Sequence, residues 1–269
     1  MDSRDKTAFR ATVLGYFEEH ERDLPWRRTR DPYAIFVSEV MLQQTQVPRV
    51  IPKYRAFLEA FPDVQTLAAA PLVDVLALWS GLGYNRRAKS LKQAAEIIVA
   101  GGGRVPDTLE GLVALPGIGH ATAAQILAFA FDVPVAFIET NIRSVYIHEF
   151  FDGADDVPDS AILLLVEETL DCDDPRSWYY ALMDYGTYLK SMLPNPSRRS
   201  AHHVRQSKFE GSMRQIRGAL LRELTERPGQ DAASAAAAIG FEPERVSEAL
   251  RALTAEGFLS AEGGVYRIA

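Results

Sequence analysis

Cysteine is nearly missing from this chain: Cys172 is the only one in 269 residues. An internal disulfide and every multi-cysteine metal site are thereby excluded, and a reducing cytosol is the natural compartment. Long hydrophobic runs are missing as well. No apolar stretch approaches the roughly 18 residues of a membrane helix, and the polar start from Met1 to Arg10 shows no signal-peptide pattern. A cytoplasmic protein without membrane attachment is expected. Sustained strand alternation is scarce while helical spacing of apolar residues is nearly continuous, so the main body is expected to be all-α. With 47% apolar residues the chain can bury a sizeable core, and its length suits two domains, or one domain split by its own insertions.

A surplus of positive charge is also lacking. The net charge is -7, which as a sum argues against a polyanionic partner, but distribution matters more than the sum. Between Gly186 and Arg222 stand eight basic residues (Lys190, Arg198, Arg199, Arg205, Lys208, Arg214, Arg217 and Arg222) against the single acid Glu210. This strip is either an anion-contacting surface or an ordinary solvated helix face with a loop.

What the chain does have is helix punctuation. Asp31-Pro32 supplies an N-cap and first-turn proline for a helix over 33–42. Further helices are expected at 47–60, 71–78, 86–100, 108–115, 121–131, 141–151, 160–170 and 177–189, after a first helical face of Phe9, Val13, Leu14 and Phe17. The proline- and serine-rich segment from Leu193 to Ser200 cannot continue a helix. Two domains and the segment between them follow: a helical body over 1–192, a basic linker or DNA-contacting loop over 193–212, and a module over 213–269. In that module helices at 214–226, 232–239 and 243–256 precede a hairpin turning at Glu262-Gly263-Gly264, a winged-helix-like pattern. Its third helix mixes Glu244, Glu248 and Glu256 with Arg245 and Arg251. Packing or partner contact therefore suits it at least as well as reading a duplex.

Three features carry chemistry. The turn Pro116-Gly117-Ile118-Gly119 joins two helices, and its glycines allow positive φ and close backbone approach to a phosphate oxygen at the next helix N-terminus. A plain tight turn gives the same pattern. Glu39 follows Ile35 by four residues and precedes Leu42 by three, on an apolar helical face. Burial there raises a carboxyl pKa and suits a general acid; an ion pair with Arg86, Arg87 or Lys89 is the alternative. Glu139 sits before a helix that begins near Asn141, where the dipole favours negative charge. Two carboxyls in opposed environments fit glycosidic cleavage, one protonating the leaving group and the other stabilising an oxocarbenium ion. A plain helix cap is the other reading of Glu139.

The segments Trp26-Arg27, Ser38-Glu39-Val40-Met41-Leu42-Gln43-Gln44-Thr45-Gln46-Val47, Trp79-Ser80-Gly81-Leu82-Gly83-Tyr84 and Leu115-Pro116-Gly117-Ile118-Gly119-His120-Ala121-Thr122-Ala123 resemble the helix-hairpin-helix DNA glycosylases. The likeness is greatest to the adenine-excising, MutY-type branch and covers roughly residues 6–190. It implies a two-lobed helical bundle with a helix-hairpin-helix motif, and double-stranded DNA carrying a mispair or lesion as partner. By this resemblance Glu39 protonates the departing purine, and Gln43, Gln44 and Tyr84 enter or flank the gap left by the flipped nucleotide. Flipping is required because a stacked base is unreachable inside a duplex. Gly117 and Gly119 would clamp the adjacent phosphate, Asn141 would support the sugar site, and Thr45 and His120 of the same motifs would lie at the DNA. Glu139 falls where the family carries a catalytic aspartate.

The sequence departs from the family in three places. Glu139 is one methylene longer than aspartate, and a shift on the order of 1 Å can cost roughly 100-fold in rate. Ala121 stands where bifunctional relatives resembling endonuclease III carry lysine, so a monofunctional enzyme without strand cleavage is expected. Lys190 stands at about the first of the four cysteines that hold an iron-sulfur cluster in many relatives, and none of the four is present. No cofactor and no metal are therefore expected, since His202-His203 alone make a poor metal site. Arg198, Arg199, Arg205 and Lys208 are expected to contact phosphates in place of the cluster loop. The long domain with which adenine-excising relatives inspect 8-oxoguanine has no recognisable counterpart, and the winged-helix-like module stands in its place.

The expected activity is monofunctional excision of a mispaired or damaged base, adenine or another purine, by a nucleoid-associated monomer. One alternative keeps the fold and excises uracil or thymine opposite guanine. The other is a non-catalytic DNA-structure binder.

Overall fold

A computed structural model describes residues 3–202 and 208–269 of the chain. Among the described residues the helices are α1 (Ser3–His20), α2 (Pro32–Leu42), α3 (Val47–Ala60), α4 (Val64–Ala69), α5 (Leu72–Trp79), α6 (Arg86–Ala100), α7 (Leu109–Val113), α8 (His120–Phe131), α9 (Thr140–Phe150), α10 (Asp159–Thr169), α11 (Pro175–Met192), α12 (Met213–Glu226), α13 (Ala232–Ile239) and α14 (Pro243–Ala255). Strands β1 (Leu259–Glu262) and β2 (Val265–Ile268) complete the fold. The all-α body with a terminal hairpin is thus as expected. Helix α4 is an addition: six residues are too few for apolar periodicity to show, and its start depends on Asp63, whose carboxylate accepts from Thr66 N at 2.7 Å.

The chain divides into two compact units. One comprises Met1–Glu39, Asp107–Ala114 and Ile118–Arg205; the other comprises Val40–Pro106, Leu115–Gly117 and Gln206–Ala269.

In the first unit, α9 packs along α11, with α1, α8 and α10 around the pair. Its core is aromatic. Trp178, Tyr179, Tyr146 and Phe129 are almost wholly buried, and Phe9 meets Trp178 edge-on at 5.9 Å while Phe129 stacks on Tyr180 at 4.5 Å. Caps fix where these helices start. Both carboxylate oxygens of Asp31 accept from the first turn of α2, at Tyr33 N and Ala34 N, and Asp174 accepts from Ser177 N at 3.0 Å with Pro175 in the first turn of α11. Gly186 of α11 is required for the close approach of the two helices. A Cβ there would meet the carbonyl oxygen of Asn141 at 2.4 Å.

In the second unit, α4 and α5 pack on α6, and α12 packs on α5. Helices α12, α13 and α14 form a small bundle closed by the antiparallel β1–β2 hairpin, in register Leu259 to Ile268. The hairpin turns at Gly263 and Gly264 with φ of 57° and 81°, the primed geometry that strand twist favours and side chains resist. This is the expected winged-helix-like arrangement.

Candidate active site

Glu39 lies in α2, where every residue from Tyr33 to Met41 is buried and its own exposure is 5%. Burial is therefore all round, rather than along one apolar stripe. Its carboxyl is pushed up to about 8, first by removal from water, then by the negative charge of Glu139, with Ser38 and Arg27 acting in the opposite direction. The three cations named as alternative partners are engaged elsewhere. Arg86 forms a two-bond pair with Glu256, Lys89 donates to the Glu256 carbonyl, and Arg87 donates to Val40 O, Met41 O and Gln43 O. Near neutral pH Glu39 thus holds a proton that it can release to something better placed to take it.

Glu139 is a helix cap whose charge also acts on Glu39. It is the N-cap of α9, with Oε1 accepting from Asn141 N at 2.7 Å and Ile142 N at 2.8 Å, and its charge reaches Glu39. Oε2 accepts from Asn141 Nδ2 at 3.1 Å, and Asn141 Oδ1 in turn accepts from Thr187 Oγ1 of α11 at 3.3 Å. One oxygen is held by the helix end and the other is oriented by a side chain, which fixes the carboxylate in place.

Two further charges are linked to the pair, Asp184 through Arg27 and Lys190 through Glu139. Asp184, with a side chain 1% exposed, receives both Arg27 Nη atoms at 2.7 Å and a backbone bond from Arg22 at 3.0 Å. Burial pushes its carboxyl up, but the bonds and charge of Arg27 and Arg22 outweigh that and hold it below the ordinary range. Lys190, one helical turn after Gly186, is half-buried; desolvation lowers its pKa, Glu139 raises it and Arg22 lowers it. Lys190 therefore belongs electrostatically to the Glu139 surroundings.

In the second unit a different residue does the organising. Arg87 is half-buried, and burial brings its pKa down to about 10. Besides the three carbonyls above it donates to Thr45 Oγ1 at 2.9 Å and Gly83 O at 3.1 Å, and its guanidinium carbon lies 5.3 Å from the Trp79 ring centroid and 5.6 Å from that of Tyr84. It ties loop 43–45 to loop 82–84. Gln44 and Tyr84 sit in those loops with left-handed φ of 53° and 49°, a conformation that costs a side-chain-bearing residue about 1–3 kcal/mol and persists where surroundings enforce it. Gln43 Nε2 donates to Gly117 O at 3.2 Å.

The two hairpin glycines differ. Gly117 has φ of 77° and packs so tightly on Ser90 that a Cβ would lie 2.8 Å from the serine Cβ. Gly119 has the ordinary φ of −87° as N-cap of α8, which corrects the expectation of positive φ at both. Nothing lies within 4 Å of where its Cβ would be, so it is bareness at the helix end, rather than handedness, that glycine supplies here. His120 and Ala121 are exposed in the first turn of α8.

The basic strip divides. Arg198 is exposed, Arg199 is half-buried with Nη2 on Ile147 O at 2.9 Å, and Lys208 lies 3.6 Å from Glu210. Arg205 and His203 fall outside the described residues. Among the described residues no cluster of three His, Cys, Asp or Glu could hold a metal ion. An iron-sulfur cluster needs thiolate donors; Cys172 is exposed and alone, and Lys190 is a cation, so these residues do not fit that group.

Residues 37–172, from the start of the buried acid's turn to past Glu139, match the model of the HhH-GPD superfamily base excision DNA repair proteins. The chain belongs to this superfamily. Adenine DNA glycosylase of Rattus norvegicus is 39% identical over 200 residues, covering 69% of this chain and 38% of the relative. That of Mycolicibacterium smegmatis is 34% identical over 227 residues and covers 78% of each. The chain thus spans well under half of the rat relative. Among solved structures, a thermostable thymine-DNA glycosylase matches 68% of this chain and 86% of its own, at 27% identity and a TM-score of 0.61. For an HhH-GPD protein, the residues that sequence reasoning missed are Arg87, read only as a possible partner of Glu39, and the Arg27–Asp184 pair. Trp26-Arg27 is one of the family-like segments, but nothing in the sequence pattern shows that Arg27 meets Asp184, 157 residues away.

Proposed function

We propose that this protein is a monofunctional DNA glycosylase that hydrolyses the N-glycosidic bond of a flipped, mispaired adenine. The observation that carries the reading is the buried, proton-holding Glu39 within electrostatic reach of the helix-capping carboxylate of Glu139. Glu39 donates its proton to a ring nitrogen of the base, and the C1′–N bond breaks with its electrons passing to the base. Glu139 faces the oxocarbenium sugar that remains. Water adds to C1′, and its proton returns to the Glu39 carboxylate. Relatives called adenine DNA glycosylases support the choice of base, and so does the chemistry, because a purine leaves readily only once protonated. The thymine-DNA glycosylase likeness favours a second reading, excision of thymine opposite guanine. Such a pyrimidine can leave as an anion, and a buried acid contributes less to its departure. Ala121 offers no amine for a Schiff base, which supports hydrolysis without strand cleavage, and a monomer acting on duplex DNA completes the reading.

Single-turnover base release over duplexes carrying A opposite G or 8-oxoguanine, and U or T opposite G, tests it. Adenine release is expected to fall at least 100-fold in Glu39→Gln. Release of thymine or uracil alone, unaffected by Glu39→Gln, would install the second reading.

A further inference from the structure

The C-terminal module has no part in that chemistry, yet it is fastened next to one of the loops the chemistry needs. Glu256, at the end of α14, receives two bonds from Arg86 (2.9 and 2.7 Å) and two from Arg217 of α12 (2.8 and 2.6 Å). These bonds hold its carboxyl down at about 2. Lys89 adds a bond to the Glu256 carbonyl and lies 5.2 Å from the Phe258 ring centroid. Arg214, on α12 one turn before Arg217, then reaches the loop. Its Nη1 donates to the Tyr84 hydroxyl at 3.0 Å, and its guanidinium carbon lies 5.9 Å from the ring centroid.

Tyr84 is 38% exposed, has a left-handed backbone, and carries Arg87 against its ring as well. An aromatic side chain that must enter a base stack loses rotamer freedom on entry, and holding it beforehand removes that loss from the binding step. Two guanidinium groups on one exposed ring, one from the helical body and one from the module, provide such holding. A duplex-reading role fits the module less well, because Arg217 is committed to Glu256 and α14 exposes the acids Glu244 and Glu248 against the single fully exposed base Arg251.

We propose that Arg214 is a positioning residue for Tyr84, and that the C-terminal module serves as the support of a DNA-entering tyrosine. This rests on the reading that Tyr84 enters the duplex beside the flipped nucleotide. The test uses the intact chain and a duplex with 2-aminopurine next to the target adenine, whose fluorescence rise reports unstacking without any need for base release. Arg214→Ala and Tyr84→Phe are each expected to slow the rise about tenfold, the double variant no more than either alone, and Arg214→Lys to recover part of the rate. Thermal melting of each variant controls for folding. Additive effects in the double variant, or a loss in Arg214→Ala confined to affinity with a shallower salt dependence, would mark Arg214 as a plain phosphate contact and overturn the proposal. A wild-type protein that gives no fluorescence rise overturns it too. Base release scored in parallel shows whether the glycosylase reading stands or falls separately.

Discussion

Replacing Glu39 with glutamine changes how the stability of this protein depends on pH, in a direction that the site fixes. The Glu39 carboxyl moves from 4.5 when unfolded to about 8 when folded, chiefly through burial. Between those values the folded state keeps a proton that the unfolded state has released, so stability is fully present below 4.5 and is lost as pH rises through about 8. At 1.36 kcal/mol per unit the full gap is worth roughly 5 kcal/mol, and water penetration on ionisation reduces this to about 2–5 kcal/mol. Glutamine fills the same volume without ionising. Whatever its buried amide costs, that cost is the same at every pH. Urea unfolding of both proteins between pH 5 and 9, with unchanged m-values, isolates the effect, because every other titrating group cancels in the difference. The variant is expected to gain about 2–5 kcal/mol relative to wild type across that range. Parallel stability curves would show that Glu39 ionises in the folded protein as it does in water, and would remove the physical basis of the acid role proposed for it.

Other parts of the site respond differently. Asp184→Asn strands two guanidinium groups around a neutral amide where the carboxylate is buried; about 3–5 kcal/mol of stability should be lost in urea unfolding, and a loss under 1 kcal/mol would mean the cluster is solvated. Gly186→Ala places a methyl group 2.4 Å from the Asn141 carbonyl. It should cost about 1–3 kcal/mol by parting α11 from α9, and should slow base release because the Glu139 cap moves with α9. Unchanged melting and unchanged release together would contradict the close contact. Glu139→Gln removes a negative charge that raises the Glu39 carboxyl, so the alkaline fall of any residual activity should move to lower pH; movement upward would refute the coupling.

Much of this was legible in the sequence where local rules apply. The Asp31-Pro32 start of α2 and the 86–100 span of α6 follow from capping and periodicity, and the 232–239 span of α13 ends at a left-handed Gly240. Glu39 could be placed among apolar residues, and Glu139 before a helix. Neither observation could bring the two together, because 100 residues of chain separate them and the meeting depends on tertiary packing. Gly119 shows the limit on a smaller scale: glycine at a hairpin suggests positive φ, but a helix N-cap needs extended backbone, and that requirement prevails. The basic strip was legible as charge only. Arg217 lies in it by composition and is committed to Glu256 in the fold, while Arg199 is tied to the Ile147 carbonyl. Arg87 was hidden for a similar reason. A guanidinium that collects backbone carbonyls from two loops leaves no mark in side-chain pattern, since its partners are present at every residue.

In the proposed reaction Glu39 delivers a proton that burial and Glu139 keep on it near neutral pH. The pH dependence of single-turnover adenine release from a duplex with A opposite G or 8-oxoguanine tests this most directly. A rate that is level through neutral pH, then falls about tenfold per pH unit above about 8, with no such limb in the residual activity of Glu39→Gln, is the predicted result. Release that stays level beyond pH 9.5, or persists at wild-type rate in Glu39→Gln, would contradict it.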